Sequence, residues 1–132
     1  MEHFIRERSL QDRVKLPGYV PDEDLISLYN GAAGYVMISL YEGFGLPALE
    51  AMRCGLAGIV ADNSSLPEVT GESAILVAPE DETAIEKALA TLARDAVLRQ
   101  RLASEALARS KKFSIRNTAG RMLEIFRKEC GS

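Results

Sequence analysis

The sequence predicts an α/β protein, a parallel sheet with helices covering both faces. Three observations predict it. Short apolar runs at residues 34–39, Gly58–Ala61 and Ala74–Val77 alternate with segments whose apolar residues recur at the helical period. Glycine or proline marks the changeovers, as Gly55 and Pro79 do. Residues 42–50, E-G-F-G-L-P-A-L-E, set a glycine loop directly after one strand and before a helix. Ligands in such sheets bind outside the carboxyl ends of the strands, so this loop lies on the ligand-binding edge.

The elements follow in order. Residues 3–9 read as the tail of a helix. Residues 13–20 read as a short strand, and Pro17, which has no N–H, suits it to a sheet edge or ends it early. Asp22 is placed to cap a helix whose apolar face is Leu25, Ile26, Leu28, Tyr29 and Ala32. Residues 34–39 read as a buried strand. A helix over residues 47–54 follows the glycine loop, and Gly55 ends it. Strands at Gly58–Ala61 and Ala74–Val77 come next. The last third is helical. Asp81 caps a helix with Ile85, Ala88, Leu89 and Leu92 on one face, and Asp95 caps a second that carries Leu98, Leu102 and Leu107. Ser114 caps a third, striped by Ile115, Ala119, Met122, Leu123 and Phe126. The charged positions Arg99, Arg101, Glu105 and Arg109 form a solvated face.

Composition narrows the function classes. The 132 residues suit one domain, and a 47 % apolar fraction supplies a core. A net charge of −3 without a basic stripe argues against a nucleic-acid surface. Cys54 and Cys130 do not make a disulfide framework and fit a reduced cytosol. No apolar run is long enough to span a membrane, and the start does not read as a signal peptide. The single histidine, His3, sits near a terminus, where acid–base or metal chemistry is not expected.

The glycine loop carries the chemistry. Gly43 and Gly45 lack a Cβ and let the backbone approach a ligand closely. Pro47 suits a first helical turn. The free N–H groups of that turn, with the helix dipole, favour an anion such as a phosphate. Glu42 and Glu50 flank the helix start and are strong acceptors for paired hydroxyls. Together these groups suit a nucleotide-sugar. A plainer reading also stands: the carboxylates stabilise the helix dipole, and Phe44 belongs to the core behind an ordinary turn.

Residues 41–55, Y-E-G-F-G-L-P-A-L-E-A-M-R-C-G, resemble the paired-glutamate signature of retaining group 1 (family 4) glycosyltransferases. Residues 18–29, G-Y-V-P-D-E-D-L-I-S-L-Y, resemble the segment before that signature. Residues 64–69, S-S-L-P-E-V, and 74–81, A-I-L-V-A-P-E-D, resemble the segments after it. The resemblance implies a Rossmann-like parallel sheet with flanking helices, from the C-terminal, donor-binding domain of the GT-B fold. Residues 1–132 would form one partial domain of that kind, with 81–130 as a helical tail. It implies transfer of a hexose from a UDP- or GDP-sugar to a hydroxyl acceptor, with no metal and no other cofactor. Glu42 would then meet the donor-sugar hydroxyls as the catalytic-site carboxylate, and Glu50 the ribose hydroxyls. The N–H groups of Gly43, Phe44, Gly45 and Leu46 would face the sugar and the diphosphate. Gly18, Tyr19 and Val20 would border the nucleobase, although a turn before Pro21 explains them nearly as well. Leu25, Tyr29 and Cys54 read as core, and Glu68 as a helix-start residue.

The sequence departs from the family's pattern in places. Ile38 stands where the family has proline before Ser39. Leu56-Ala57-Gly58 replaces Thr-Pro-Val, which predicts a weaker strand. Two strand–helix units that open the family's domain, with a Gly-Arg motif and a Lys-Asn pair for the diphosphate, have no counterpart here; nor has the acceptor domain. The expectation is a chain that does not catalyse transfer alone. Its strands at 13–20 and 34–39 would lack neighbours and drive self-association. The rival expectation is a non-catalytic interaction or scaffold module on the same fold. A phosphate-binding α/β protein of other chemistry leaves the two glutamates unexplained.

Overall fold

A computed structural model describes residues 2–131. Helices α1 (Glu2–Glu7) and α2 (Asp22–Gly31) precede strand β1 (Tyr35–Met37). Then come α3 (Leu46–Arg53), β2 (Gly58–Ala61), the short α4 (Leu66–Thr70), a 3-10 turn (Gly71–Ser73) and β3 (Ala74–Val77). Three helices follow: α5 (Glu82–Arg94), α6 (Ala96–Ser110) and α7 (Ile115–Cys130). The strands form one parallel sheet in the order β1-β2-β3, with Val36 opposite Ile59 and Ile59 opposite Ile75. The predicted α/β class, with a parallel sheet between helices, is the observed one.

Strand periodicity sorts the core into two faces. Ile59 and Val77 point to one face and pack with Ala88, Leu92 and Leu102 from α5 and α6. Val60 and Ala74 point to the other and pack with Ala48 of α3 and Leu66 of α4. A third cluster, Leu49, Met52, Val69 and Ala106, joins α3 and α4 to α6. β2 is central and buried along its whole length. Gly58 is suited there, because an added Cβ would run into the Tyr35 ring, 2.6 Å from its hydroxyl. The Tyr35 hydroxyl is buried without a hydrogen-bond partner, and burial pushes its phenol well above the ordinary range.

Local signals were reliable where they concern caps. Asp81 Oδ1 accepts from the Ala84 N–H at 2.9 Å, and Asp95 Oδ1 from the Leu98 N–H at 2.8 Å. Ser114 Oγ accepts from the Asn117 N–H at 3.1 Å. Asp22 is the exception. It lies inside α2, after Pro21, and that helix start has no side-chain cap.

Four expectations about packing are corrected. Residues 13–20 form no strand. The chain turns at Leu10, whose carbonyl accepts from the N–H groups of Arg13 and Val14, and Gly18 takes a left-handed φ of 70°. With no strand alongside, the backbone groups of this segment have no ladder to join. β1 is not a buried strand but a three-residue edge strand, with Val36 half exposed. The stripe on α7 has no core to meet: Met122, Leu123 and Phe126 are each more than half exposed, and Ile115 is 90 % exposed. α2 likewise buries none of its residues, and only Leu25 and Tyr29 of its apolar face are partly covered.

Candidate functional site at the start of helix α3

The loop over residues 38–45 leaves the carboxyl end of β1 and enters α3 at Gly45. Gly45 has φ 86° and ψ 46°, the left-handed region that disfavours residues with a Cβ. A Cβ there would also lie 2.7 Å from Cδ2 of the fully buried Leu66. The glycine therefore fixes the direction in which the loop meets the helix. Pro47 occupies the first turn, and no side chain caps the helix start. Among the described residues, the Leu46 and Ala48 N–H groups of that turn make no hydrogen bond.

The two carboxylates are held differently. Glu42 is half buried, and its Oε1 accepts from Ser39 Oγ at 2.8 Å. Its peptide is bonded to the loop after β2. The Glu42 N–H donates to Ser64 Oγ at 3.1 Å, and the Glu42 carbonyl accepts from Ser65 Oγ at 3.2 Å. Glu50 lies exposed on α3, and its Oε2 accepts from the Tyr29 hydroxyl at 3.3 Å. Burial, and then the adjacent Glu50 carboxylate, hold the Tyr29 phenol above its usual value. A cleft of about 370 Å³ separates α2 from α3, with Tyr29 and Glu50 on its wall beside Leu25, Ile26 and Arg53.

The remaining predicted positions divide. Gly43 is exposed and Gly45 buried. Phe44 is not a core residue: it is 41 % exposed and packs edge-on against Phe113, ring centroids 5.8 Å apart. Phe44 and Leu46 line a groove shared with Phe113 and Met122. Tyr19 is 89 % exposed, and among the described residues no hydrogen bond joins Gly18, Tyr19 or Val20 to residues 42–50. Glu68 lies in the first turn of α4, in keeping with the helix-start role. Sequence reasoning missed Asn63, Ser64 and Ser65 as neighbours of Glu42. Their signal was present, as a polar run directly after a buried strand on the carboxyl edge of the sheet. It also took Tyr29 for core, although its hydroxyl reaches Glu50.

A parallel sheet between helices, with a glycine loop running from its carboxyl edge into an uncapped helix start, defines the class: a Rossmann-like α/β unit. Comparison with known proteins narrows it. Residues 1–109 match the family described as glycosyl transferases group 1. The serotype-specific mannosyltransferase WbdA of Escherichia coli is 44 % identical over 109 residues, covering 83 % of this chain and 13 % of that protein. The O-antigen chain mannosyltransferase B of Escherichia coli is 39 % identical over 114 residues, covering 86 % of this chain and 30 % of that protein. Among solved structures, the sucrose-phosphate synthase of Thermosynechococcus elongatus superposes with a TM-score of 0.86 at 31 % identity, over 96 % of this chain and 33 % of that one. The chain belongs to the group 1 glycosyl transferases and has the fold of a part of a GT-B enzyme. It spans a third or less of the length of these relatives.

Proposed function

We propose that this chain is the nucleotide-sugar-binding part of a retaining glycosyltransferase that moves a hexose from a UDP- or GDP-sugar to a hydroxyl acceptor. The observation that carries the reading is the uncapped start of α3, set between Glu42 and Glu50 on the carboxyl edge of the sheet. The diphosphate sits at that helix start, received by N–H groups of residues 43–46 and by the helix dipole. Glu42 accepts from hydroxyls of the donor sugar. Glu50, on the wall of the α2–α3 cleft, accepts from the ribose. The nucleobase lies toward Gly18, Tyr19 and Val20. The mannosyltransferase relatives favour a hexose donor. Catalysis in this scheme is electrostatic support of the leaving diphosphate and calls on no metal. The two unpaired cysteines suit a cytoplasmic setting, and no described helix is long and apolar enough to cross a membrane.

Titration of the labelled chain with UDP and with GDP, followed by NMR, tests the reading. Amide shifts are expected at residues 43–49. Shifts confined to other parts of the molecule would sink it.

Self-association belongs to the same proposal. β1 leaves one edge unpaired and holds Val36 half exposed, which is a template for a second strand. Light scattering over a range of concentrations is expected to show a mass that rises with concentration. A constant monomer mass would remove this part of the proposal.

A further inference from the structure

Residues 63–65 grip the loop that carries Glu42. Asn63 Nδ2 donates to the carbonyls of Ser39 at 3.2 Å and Leu40 at 2.9 Å. Ser64 Oγ accepts from the Glu42 N–H, and Ser65 Oγ donates to the Glu42 carbonyl. Both polar groups of one peptide unit's residue are thereby held from the same tripeptide. The tripeptide is itself anchored at each end. The Asp62 N–H before it donates to the Val77 carbonyl of β3 at 2.8 Å, and Leu66 after it is fully buried. Ser64 adopts a φ of 47°, a left-handed conformation that a serine enters only when its surroundings over-determine it. Ser64 Oγ also donates to Asn63 Oδ1 at 3.2 Å, so the clamp is internally tied. With the Glu42 backbone fixed, Ser39 secures Oε1 of its carboxylate, and Oε2 has no hydrogen bond among the described residues.

We propose that Asn63, Ser64 and Ser65 are positioning residues that hold Glu42 with one carboxylate oxygen presented to the hydroxyls of the donor sugar. The inference rests on the reading of Glu42 as a donor-sugar contact. It concerns how this chain orients that contact and therefore its selectivity for a sugar-bearing ligand over the bare nucleotide. Pre-organisation of this kind matters because a small misplacement of a contact group costs much of its benefit.

The test uses the double variant Ser64→Gly with Ser65→Ala. Glycine tolerates the left-handed φ, and Ser65 has ordinary helical dihedrals, so the fold is retained. Calorimetric titrations compare GDP-mannose with GDP and UDP-glucose with UDP. The preference for the sugar-bearing ligand is expected to fall roughly three- to tenfold, toward that of Glu42→Gln, with affinity for the free nucleoside diphosphate unchanged. Ser65→Thr, which keeps the hydroxyl, is expected to keep the preference. An unchanged preference in the double variant, or equal loss for both members of a pair, would overturn the positioning role. Hydrogen exchange at the Glu42 amide is a second, ligand-free readout, expected to accelerate at least about tenfold when its acceptor on Ser64 is removed. If the unmodified chain binds none of the four ligands, the functional reading falls, and the exchange result alone decides the clamp. Retained protection at Glu42 in the variant would then overturn it.

Discussion

Gly45→Ala is expected to destabilise the chain by about 2–5 kcal/mol, the sum of two separable costs. The left-handed backbone at Gly45 costs a residue with a Cβ roughly 1–2 kcal/mol. The added methyl group would lie 2.7 Å from Leu66 Cδ2, and overpacking a full core costs about 1–3 kcal/mol. Leu66 cannot swing aside cheaply, because it is wholly buried among Ala48, Val60, Ala61 and Ala74. Urea unfolding of the wild type, the single variants Gly45→Ala and Leu66→Ala, and the double variant would separate the two costs. In the Leu66→Ala background the glycine substitution is expected to cost only the backbone part. Equal costs in both backgrounds would show that no steric conflict with Leu66 exists. The same substitution redirects the loop into α3, so it is also expected to weaken nucleotide binding in whatever fraction remains folded.

Glu50→Gln is expected to weaken binding of UDP or GDP about tenfold, the lower end of the roughly 1.5–3 kcal/mol for a hydrogen bond to a charged group. The lower end applies because Glu50 is exposed in the free chain and already solvated. Glu42→Gln is expected to leave the free diphosphates nearly untouched and to lower affinity only for the sugar-bearing forms. The difference follows from placement. Glu50 stands on the wall of the α2–α3 cleft beside Tyr29, whereas Glu42 stands on the loop tied to Ser39 and residues 63–65. Equal losses of diphosphate affinity in the two variants would refute the separate roles. Tyr29→Phe is a useful control, since it removes only the hydroxyl that donates to Glu50.

Much of the site could be read before the fold was known. The glycine loop, the helix it enters, and the carboxylates at 42 and 50 are contiguous in the chain, so their chemistry is a local property of ten or so residues. What lay outside that window was legible only as a polar run, not as a contact. Asn63, Ser64 and Ser65 are more than twenty positions from Glu42 and reach it only because β1 and β2 are parallel neighbours whose carboxyl ends lie side by side. Tyr29 reads as a core position from its helical spacing, yet α2 lies so that its hydroxyl meets Glu50. The plainer reading of Phe44 as a core residue fails for the same reason, since its ring stands at the surface against Phe113.

The sequence by itself determined the parallel α/β class, the strands Gly58–Ala61 and Ala74–Val77, the caps at Asp81, Asp95 and Ser114, and the open start of α3. All of these rest on hydrophobic period, Cβ sterics and side-chain bonds to nearby N–H groups, which act over a few residues. Only the tertiary structure decided that residues 13–20 stay unpaired, that β1 is a short exposed edge, that α7 keeps its apolar stripe in solvent, and that a serine pair closes on Glu42. A strand exists only when another strand accepts its hydrogen bonds, and a side chain is buried only when another element covers it. Both depend on neighbours that local sequence does not name.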